Sequence, residues 1–331
     1  MKKNRLFIIT ISIFLILLIN FYNCKQNEVT SDGLINIKLA EVTHSIFYTP
    51  LYIALENGYF IEEGLNVEII LTSGADAVSS AILSGDVNIG LAGAESAIYI
   101  YEAGQKDYLQ IFSGLTKRDG QFIVSRVENN EFDLVDLYDK EILIGRENGM
   151  PALNFMYSLY SLGIDDKKID INTTVDFAAL TGTFISGIGD YVNLFEPNAS
   201  IIENEGYGKI VASVGQISGE VPYTTFYAKK SYLDNNKETL IKFTNAIAKA
   251  LRYVNLTDSL IIANDIINQF PDQKVEDLST MIENYKIYDC WLDNPFITYD
   301  SFNNLETFLI KYDLLSDYTN YENIVNNLYV N

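Results

Sequence analysis

Short apolar segments alternate with amphipathic ones along most of the chain, and the pattern runs through two similar series. Residues 35–39, 67–71 and 87–91 carry apolar side chains at alternate positions or in short runs, which is typical of β-strands. Helical spacing follows each of these segments. The second series begins near residue 120, and helical patterns dominate from 237 to 288. We therefore predict an α/β fold with mostly parallel sheets.

Several helix boundaries can be predicted from capping residues. Ser73 and Asp76 have the spacing of a capping box and should open a helix that Gly85 ends. Another helix should start near Glu95, directly after a strand. Asn148 can cap a third helix, because a proline suited to the first helical turn follows it closely. All of these turns follow predicted strands.

The first 23 residues have the pattern of an export signal. Three basic residues precede an apolar run of about 14 residues, which is shorter than the roughly 20 that a spanning helix needs. Cys24 follows at once, at the position of a lipid acceptor, and 24–33 reads as a polar linker. We predict that residues 1–23 are removed and that Cys24 is lipidated. The alternative is an uncleaved anchor, and both place the protein outside the cell membrane, tethered to it.

Composition limits the partners. Removing Lys2, Lys3 and Arg5 with the signal leaves 20 of the 23 basic residues against 44 acidic ones, a net charge of −24. Such a surface repels nucleic acid and anionic lipid, so we expect neither as a partner. Lipidation of Cys24 would leave Cys290 as the only thiol and allow no disulfide. The 23 Tyr and 18 Phe residues supply rings for packing and for holding a flat ligand.

Five short motifs stand in a specific order along the chain. They are EVTHSIFYTP at 41–50, GYF at 58–60, GL at 64–65, SGDVNIG at 84–90 and FEP at 195–197. With these motifs the sequence, from about 36 to 290, resembles the sulfonate, nitrate and thiamine-pyrimidine group of type II periplasmic binding proteins. The resemblance implies two α/β lobes joined by two crossovers, a ligand cleft between them, and delivery of the ligand to an ABC permease and its ATPase.

The resemblance also implies the domain boundaries. Lobe 1 should comprise 34–117 and 224–331, with a helical C-terminal part, and lobe 2 should comprise 118–223. The two crossovers, near 117–121 and 219–225, would then form a hinge that closes on the ligand. We expect a monomer.

Candidate ligand-binding residues lie in the turns that follow the predicted strands. In open α/β sheets, ligands bind beyond the carboxyl ends of the strands, where helices begin with unpaired N–H groups. The candidates are His44, Phe47, Tyr48, Ser73, Gly74, Glu95, Ser96, Asn148, Glu196 and Tyr223. Each has a plainer role as well, because rings can simply pack and acids can stabilise a helix end.

Glu196 is the strongest candidate, since a carboxylate at the end of a strand can accept two N–H donors of a ligand. Its alternative role is to stabilise the helix that follows. His44, the only histidine, could bind a heterocycle or a local partner. Arg146 could hold an anion or pair with a neighbouring carboxylate. We expect Arg118 to form a hinge salt bridge and Trp291 to pack in the C-terminal part.

Three function classes fit this sequence. The first is solute capture for an ABC importer. The second is an enzyme, but relatives in this group that make the thiamine pyrimidine use histidine and a cysteine-rich iron site, and this chain has one His and two Cys. No Ser-His-Asp set, Walker loop or dinucleotide fingerprint is visible either, so we expect no catalysis, no cofactor and no metal. The third is a lipoprotein that senses or adheres without transport.

The charges near the predicted cleft bear on the ligand. The acids there outnumber the bases; they are Glu41, Asp76, Glu95, Asp176 and Glu196 against Arg118 and Arg146. A sulfonate or nitrate would require a cationic pocket. We therefore expect a neutral or cationic nitrogen heterocycle, with a thiamine-type aminopyrimidine first, riboflavin or another flat ring second, and a sulfonate third.

Overall fold

A computed structural model describes residues 29–147 and 149–330, which contain two five-stranded sheets flanked by helices. The strands are β1 (Ile35–Glu41), β2 (Leu65–Leu71), β3 (Ile89–Gly93), β4 (Leu109–Thr116), β5 (Phe122–Ser125), β6 (Glu141–Leu143), β7 (Asp170–Asn172), β8 (Tyr191–Leu194), β9 (Lys209–Ser213) and β10 (Thr224–Lys229). The first sheet has the order β2-β1-β3-β10-β4, and the second has the order β7-β6-β8-β5-β9. The predicted α/β class is confirmed.

One strand in each sheet runs against the other four. β10 pairs antiparallel with both β3 and β4, whereas β1 is parallel to β2 and β3. In the second sheet β5 pairs antiparallel with β8 and β9, whereas β6 is parallel to β7 and β8. β5 and β10 are the strands that the chain enters after crossing from one sheet to the other. The prediction of mostly parallel sheets therefore holds except at these two points of entry.

Helices flank both sheets and make up most of the chain after β10. They are α1 (Thr49–Glu56), α2 (Tyr59–Glu62), α3 (Ala75–Ser84), α4 (Glu95–Glu102), α5 (Met150–Ser161), α6 (Leu180–Ile185), α7 (Asn198–Asn204), α8 (Val214–Ser218), α9 (Lys230–Asn235), α10 (Lys237–Leu256), α11 (Ser259–Ile266), α12 (Val275–Ile287), α13 (Tyr299–Lys311) and α14 (Tyr321–Ile324). The helical C-terminal part is therefore present as predicted.

The predicted helix boundaries hold at most ends, with one error at the start of α3. Gly85 ends α3 in the left-handed conformation, and α4 begins at Glu95. The capping box at Ser73 is wrong, because the residue that precedes α3 is Gly74, with φ 113° and no side-chain cap. Glycine adopts that backbone conformation without strain, so the chain turns into α3 without a serine cap. Asn148 lies outside the described residues.

The chain passes between the two sheets twice, from β4 to β5 and from β9 to β10. We call the first sheet with its helices lobe 1 and the second sheet with its helices lobe 2; the residue boundaries of the lobes stay a prediction. The C-terminal helices contact both lobes. Tyr285 of α12 stacks on Phe122 of β5 at 5.8 Å, and Phe308 of α13 stacks on Tyr157 of α5 at 3.6 Å.

The core is built from apolar faces that the sequence pattern marks clearly. The longest helix, α10, lies in the region of predicted helical patterns and buries one stripe of side chains: Leu240, Thr244, Ile247, Leu251 and Val254. Each large apolar side chain buried in this way contributes roughly 1.5–3 kcal/mol. Among residues 29–147 and 149–330, no helix is long and apolar enough to cross a membrane. The predicted signal and Cys24 lie outside the described residues.

Candidate ligand-binding site

Aromatic rings from both lobes meet where the strands of the two sheets end. Phe47, which follows β1, lies 5.5 Å from Phe195, which follows β8, measured between ring centroids. Tyr223, which precedes β10, lies 5.8 Å from Phe47 and 6.3 Å from Phe195. Phe177 of lobe 2 is 5.8 Å from Phe195. We call Phe47, Phe177, Phe195 and Tyr223 the aromatic cluster, and it marks where the carboxyl ends of the two sheets face each other.

The first crossover passes directly against this cluster. A Cβ at Gly120 would lie 2.5 Å from the Phe47 ring, so only glycine lets the crossover approach the ring so closely. The second crossover lies against the first, since a Cβ at Gly215 would lie 2.2 Å from the backbone oxygen of Asp119. The aromatic cluster and both crossovers therefore share one region between the lobes.

Tyr48 and Tyr223 are buried beside this region. Tyr48 is 5% exposed, and its neighbours include Thr224, Tyr227 and Glu95. Burial raises the pKa of both phenols well above the usual value, so both hydroxyls stay protonated and can donate. The Tyr223 hydroxyl makes no well-formed hydrogen bond among the described residues, although it lies close enough to interact with the Asp119 carboxyl. An acceptor atom of a ligand could take the hydrogen bond that this hydroxyl can donate.

Glu95 and Ser96, two of the predicted site residues, are both buried at the start of α4. Burial raises the pKa of the Glu95 carboxyl from 4.5 to about 7, while its own backbone N–H lowers it and nearby Asp76 raises it further. The Oε2 atom of Glu95 has no hydrogen-bond partner within the described part of the chain. A buried carboxyl left open in this way is typical of a functional position.

Asp119 is a buried acid in the first crossover that the sequence analysis did not single out. It accepts hydrogen bonds from the backbone N–H of Gln121 at 2.7 Å and from Nδ2 of Asn154 at 3.0 Å. Burial raises the pKa of its carboxyl to about 7, although these bonds lower it. Tyr223 is also close enough to affect this pKa. Its place in a predicted crossover is the only sequence signal that could have identified it.

His44 is held by its own protein, and its ring packs against Tyr52 and Phe270. Its Nδ1 lies 2.8 Å from Oε1 of the buried Glu41, and its Nε2 lies 2.9 Å from the backbone oxygen of Gln269. Both nitrogens therefore face acceptors, an arrangement that only the protonated ring satisfies fully. The bond to Glu41 raises the pKa of His44, against the opposing effect of burial. The geometry favours the local role among the two that the sequence allowed.

Glu196 is likewise occupied by its own protein. It is 2% exposed, and its carboxylate accepts bonds from the N–H and hydroxyl of Ser200, at 3.0 and 2.8 Å, and from Nδ2 of Asn284, at 2.9 Å. Its backbone N–H donates to the Tyr285 hydroxyl at 2.9 Å. Burial raises the pKa of this carboxyl, while these bonds lower it. The geometry favours the helix-stabilising alternative, and Glu196 also joins lobe 2 to α12.

The remaining candidates lie at the rim or at the crossovers. Ser73 is exposed, and the side chains of Asp76 and Arg146 are 93% and 72% exposed, with 3.9 Å between their charged atoms. Arg118 pairs with Glu220 at 3.1 Å, which joins the two crossovers as a hinge salt bridge would. A Cβ at Gly74 would meet nothing within 4 Å, so this turn is open. Trp291 packs as predicted: it is buried, and its Nε1 donates to the Phe47 carbonyl at 2.8 Å.

A surface cavity of about 260 Å³ lies elsewhere, between lobe 2 and α12. Its lining includes Ser200, Glu203, Asp277 and Asn284. The cavity is slightly smaller than typical ligand pockets, which start near 300 Å³, and it contains none of the aromatic cluster. We therefore place the candidate site between the strand ends rather than here.

Two α/β lobes joined by two crossovers, with rings from both lobes meeting at the strand ends, define the architecture of two-lobed solute-binding proteins. The chain belongs to the NMT1-like family, whose family model matches residues 42–267. It is 42% identical over 304 residues to YtlA of Bacillus subtilis (strain 168), whose name describes it only provisionally as a binding protein; the match covers 92% of this chain and 90% of YtlA.

Solved structures share the fold at low sequence identity. The ligand-binding component of an ABC-type import system from Staphylococcus aureus, solved with zinc bound, matches with a TM-score of 0.69 and 12% identity, over 89% of this chain and 97% of that one. The periplasmic aliphatic sulphonate-binding protein SsuA from Escherichia coli matches with a TM-score of 0.68 and 12% identity, over 89% and 98%. The fold predicted from the resemblance is confirmed.

Proposed function

We propose that this protein is the extracytoplasmic solute-binding component of an ABC importer and that it captures its ligand between the two lobes. The observation that carries the proposal is the aromatic cluster, because its rings come from lobe 1, lobe 2 and the return crossover. A ligand held there contacts both lobes at once and stabilises the closed arrangement in proportion to its preference for it. The names of the relatives, a binding protein and components of import systems, support the same role.

The ligand that suits the site best is a flat nitrogen heterocycle, with a thiamine-type aminopyrimidine as first choice. Aromatic side chains bind flat rings by stacking and edge contacts. Five buried side chains of the region supply hydroxyl or carboxyl groups for hydrogen bonding, namely Tyr48, Tyr223, Tyr227, Glu95 and Asp119. Among the described residues no Lys, Arg or His side chain is buried, which disfavours the sulfonate that SsuA binds. Riboflavin is the second choice, because it offers a larger flat ring.

The ligand can be identified without assuming its class. Native mass spectrometry of the purified protein should show a bound small molecule, and a thermal-shift panel should include an aminopyrimidine, thiamine, riboflavin and an alkanesulfonate. We expect a nitrogen heterocycle to raise the melting temperature, since a ligand present at 100 times its Kd stabilises by about 2.7 kcal/mol. Stabilisation by the sulfonate alone would contradict the proposed ligand class.

We further propose that the protein is tethered to the outer face of the membrane by lipid on Cys24 and acts as a monomer that docks on a permease with its ATPase. The sequence at 1–24 motivates the tether. Cys24→Ser should yield soluble or unprocessed protein in cell fractionation, with the parent protein in the membrane fraction. A Cys24→Ser protein that is still processed and lipid-bound would contradict the assignment.

A further inference from the structure

The start of α4 carries a buried polar subsite around Glu95. The Glu95 side chain is 6% exposed, and its Oε2 has no hydrogen-bond partner in the described protein. The buried hydroxyls of Tyr227 and Ser79 make no well-formed hydrogen bond in the described protein, although they lie close enough to interact with each other. Ser96 and Glu95 also interact with the Tyr227 hydroxyl. A buried carboxyl oxygen without a partner therefore lies beside buried hydroxyls that can still accept or donate, and native proteins usually leave few such groups.

Two glycines of β3 create the space for this subsite. A Cβ at Gly93 would lie 2.0 Å from Oε2 of Glu95, so the carboxylate folds over the bare backbone at the end of the strand. Gly90 lies directly opposite Tyr227 of β10, and a Cβ there would lie 2.5 Å from side chains of Val78 and Ile82 and 3.2 Å from the Tyr227 ring. The sequence thus places glycine where Glu95 and the Tyr227 ring lie against β3.

The charges around Glu95 are acidic or neutral. The titratable groups that interact with it are Asp76 of α3, Tyr99 of α4, Tyr48, Tyr223 and Tyr227. Arg146 engages Asp76 at the exposed rim, at 3.9 Å, and no basic side chain in the described part of the chain is buried. Burial raises the pKa of Glu95 to about 7, and Asp76 makes a smaller contribution in the same direction. The carboxyl is therefore buried without a protein cation to balance its charge.

We propose that Glu95 is the counter-charge for a positively charged ring of the ligand, and that Tyr227 and Ser79 complete this subsite beside the aromatic cluster. This inference rests on the proposed function. The rings of Tyr48 and Tyr223 lie close enough to interact with Glu95, and aromatic rings attract cations. The ligand class is thereby narrowed from any flat nitrogen heterocycle to a cationic one.

Binding of such a ligand releases a proton. In the free protein near neutral pH, Glu95 is protonated in part of the molecules. A fixed positive charge favours the carboxylate, so the proton leaves to solvent as the cation enters. The competent, ionised fraction rises from roughly 0.1 at pH 6 to roughly 0.9 at pH 8, and apparent affinity rises about tenfold.

Two matched pairs of probes test the subsite by calorimetry at pH 6 and pH 8. Thiamine carries a permanent charge, and deazathiamine replaces its thiazolium with an uncharged thiophene; 1-methylnicotinamide, methylated on its ring nitrogen and therefore cationic, and neutral nicotinamide form the second pair. At least one cation should bind the parent protein about tenfold more tightly at pH 8, and its neutral partner should show no such change. Glu95→Gln should abolish the dependence and weaken binding of the cation at pH 8 at least tenfold.

Glu306→Gln is the matched control, because Glu306 is also buried and also has a raised pKa but lies on α13. It should retain the affinity and pH dependence of the parent protein. Binding of only neutral or anionic compounds, or cation binding that Glu95→Gln leaves unchanged, would overturn the subsite while the capture function stands. If neither these probes nor the thermal-shift panel yields a ligand, the proposed function fails and the subsite fails with it.

Discussion

Glu95 and Glu196 occupy the same kind of position in the two lobes, yet their carboxyl groups differ in hydrogen bonding. Each is a buried acid that follows a strand where a helix begins. Glu196 accepts three hydrogen bonds, one of them from Asn284, 88 residues away on α12. Glu95 keeps an oxygen without a partner in the described chain. The comparison teaches that two acids at the same kind of local position can have different roles. The difference depends on which donors lie within reach of the carboxylate, here Ser200 and the distant Asn284 for Glu196.

The largest expected effect is on the pH dependence of stability at Glu95. Its pKa is about 7 in the folded protein and 4.5 ordinarily, so the folded state holds a proton that the unfolded state releases. Stability is therefore highest below pH 4.5 as far as this group is concerned and falls as pH rises to about 7. Glu95→Gln removes this loss and should be more stable than the parent at pH 8 by roughly 3 kcal/mol. Urea unfolding of the variant and the parent protein at pH 5 and pH 8 measures this difference. Equal free energies of unfolding at pH 8 would contradict the contrast between Glu95 and Glu196.

Glu196→Gln should have the opposite effect on stability. The amide turns one acceptor into a donor that faces Ser200 or Asn284, which leaves a buried hydrogen bond unmade. We expect a loss of about 2 kcal/mol and a fall of a few degrees in Tm. Affinity for the ligand should stay the same, since Glu196 is occupied within the protein. A stable variant with weakened binding would instead return Glu196 to the ligand site.

The sequence predicts the fold better than it predicts the site. The pattern of apolar residues in the sequence predicts strands β1, β2 and β3 and the helix α10; β2 and α10 also show buried positions that alternate or repeat in the structure. Strands β4 and β5 are buried at every position, so they carry no such alternation. The aromatic cluster contains Phe47 and Tyr223, which were predicted, and Phe195, which lies in the FEP motif but was not proposed. Strand-end position alone cannot tell Glu95 from Glu196, because it does not show that Ser200 and the remote Asn284 occupy the carboxylate of Glu196.

Glu41 is a third buried acid, and like Glu196 it is occupied within the protein, because His44 and the Tyr52 hydroxyl contact its two carboxylate oxygens. The pKa of His44 is raised in the folded protein, so its contribution to stability is present below pH 6.5 and is lost as pH rises through the higher folded value. Partial exposure of the ring limits this to under about 1 kcal/mol. His44→Gln should therefore be less stable than the parent protein at pH 5.5, and this difference should be smaller at pH 8. Urea midpoints of both proteins measure it. The reverse order would contradict the pairing.

The smallest effect is expected at the crossovers. Arg118 and Glu220 form a pair whose side chains are 21% and 49% exposed, and such pairs contribute a few tenths to about 1 kcal/mol. Arg118→Gln should change stability by that amount, and the difference from the parent should shrink in 1 M salt because the pair is screened. A loss above 2 kcal/mol that salt leaves unchanged would show that the crossover depends on Arg118 for packing.

The central claim, capture between two lobes, is tested most directly by calorimetric binding of the identified ligand to Phe195→Ala. Phe195 is partly exposed and contacts Phe47 of the other lobe, so its removal should weaken binding at least tenfold with little change in Tm. The matched control is Phe132→Ala, since Phe132 is partly buried in lobe 2 against Tyr191. The control should bind as the parent does. Unchanged affinity in Phe195→Ala, or equal losses in both variants, would contradict a site between the lobes.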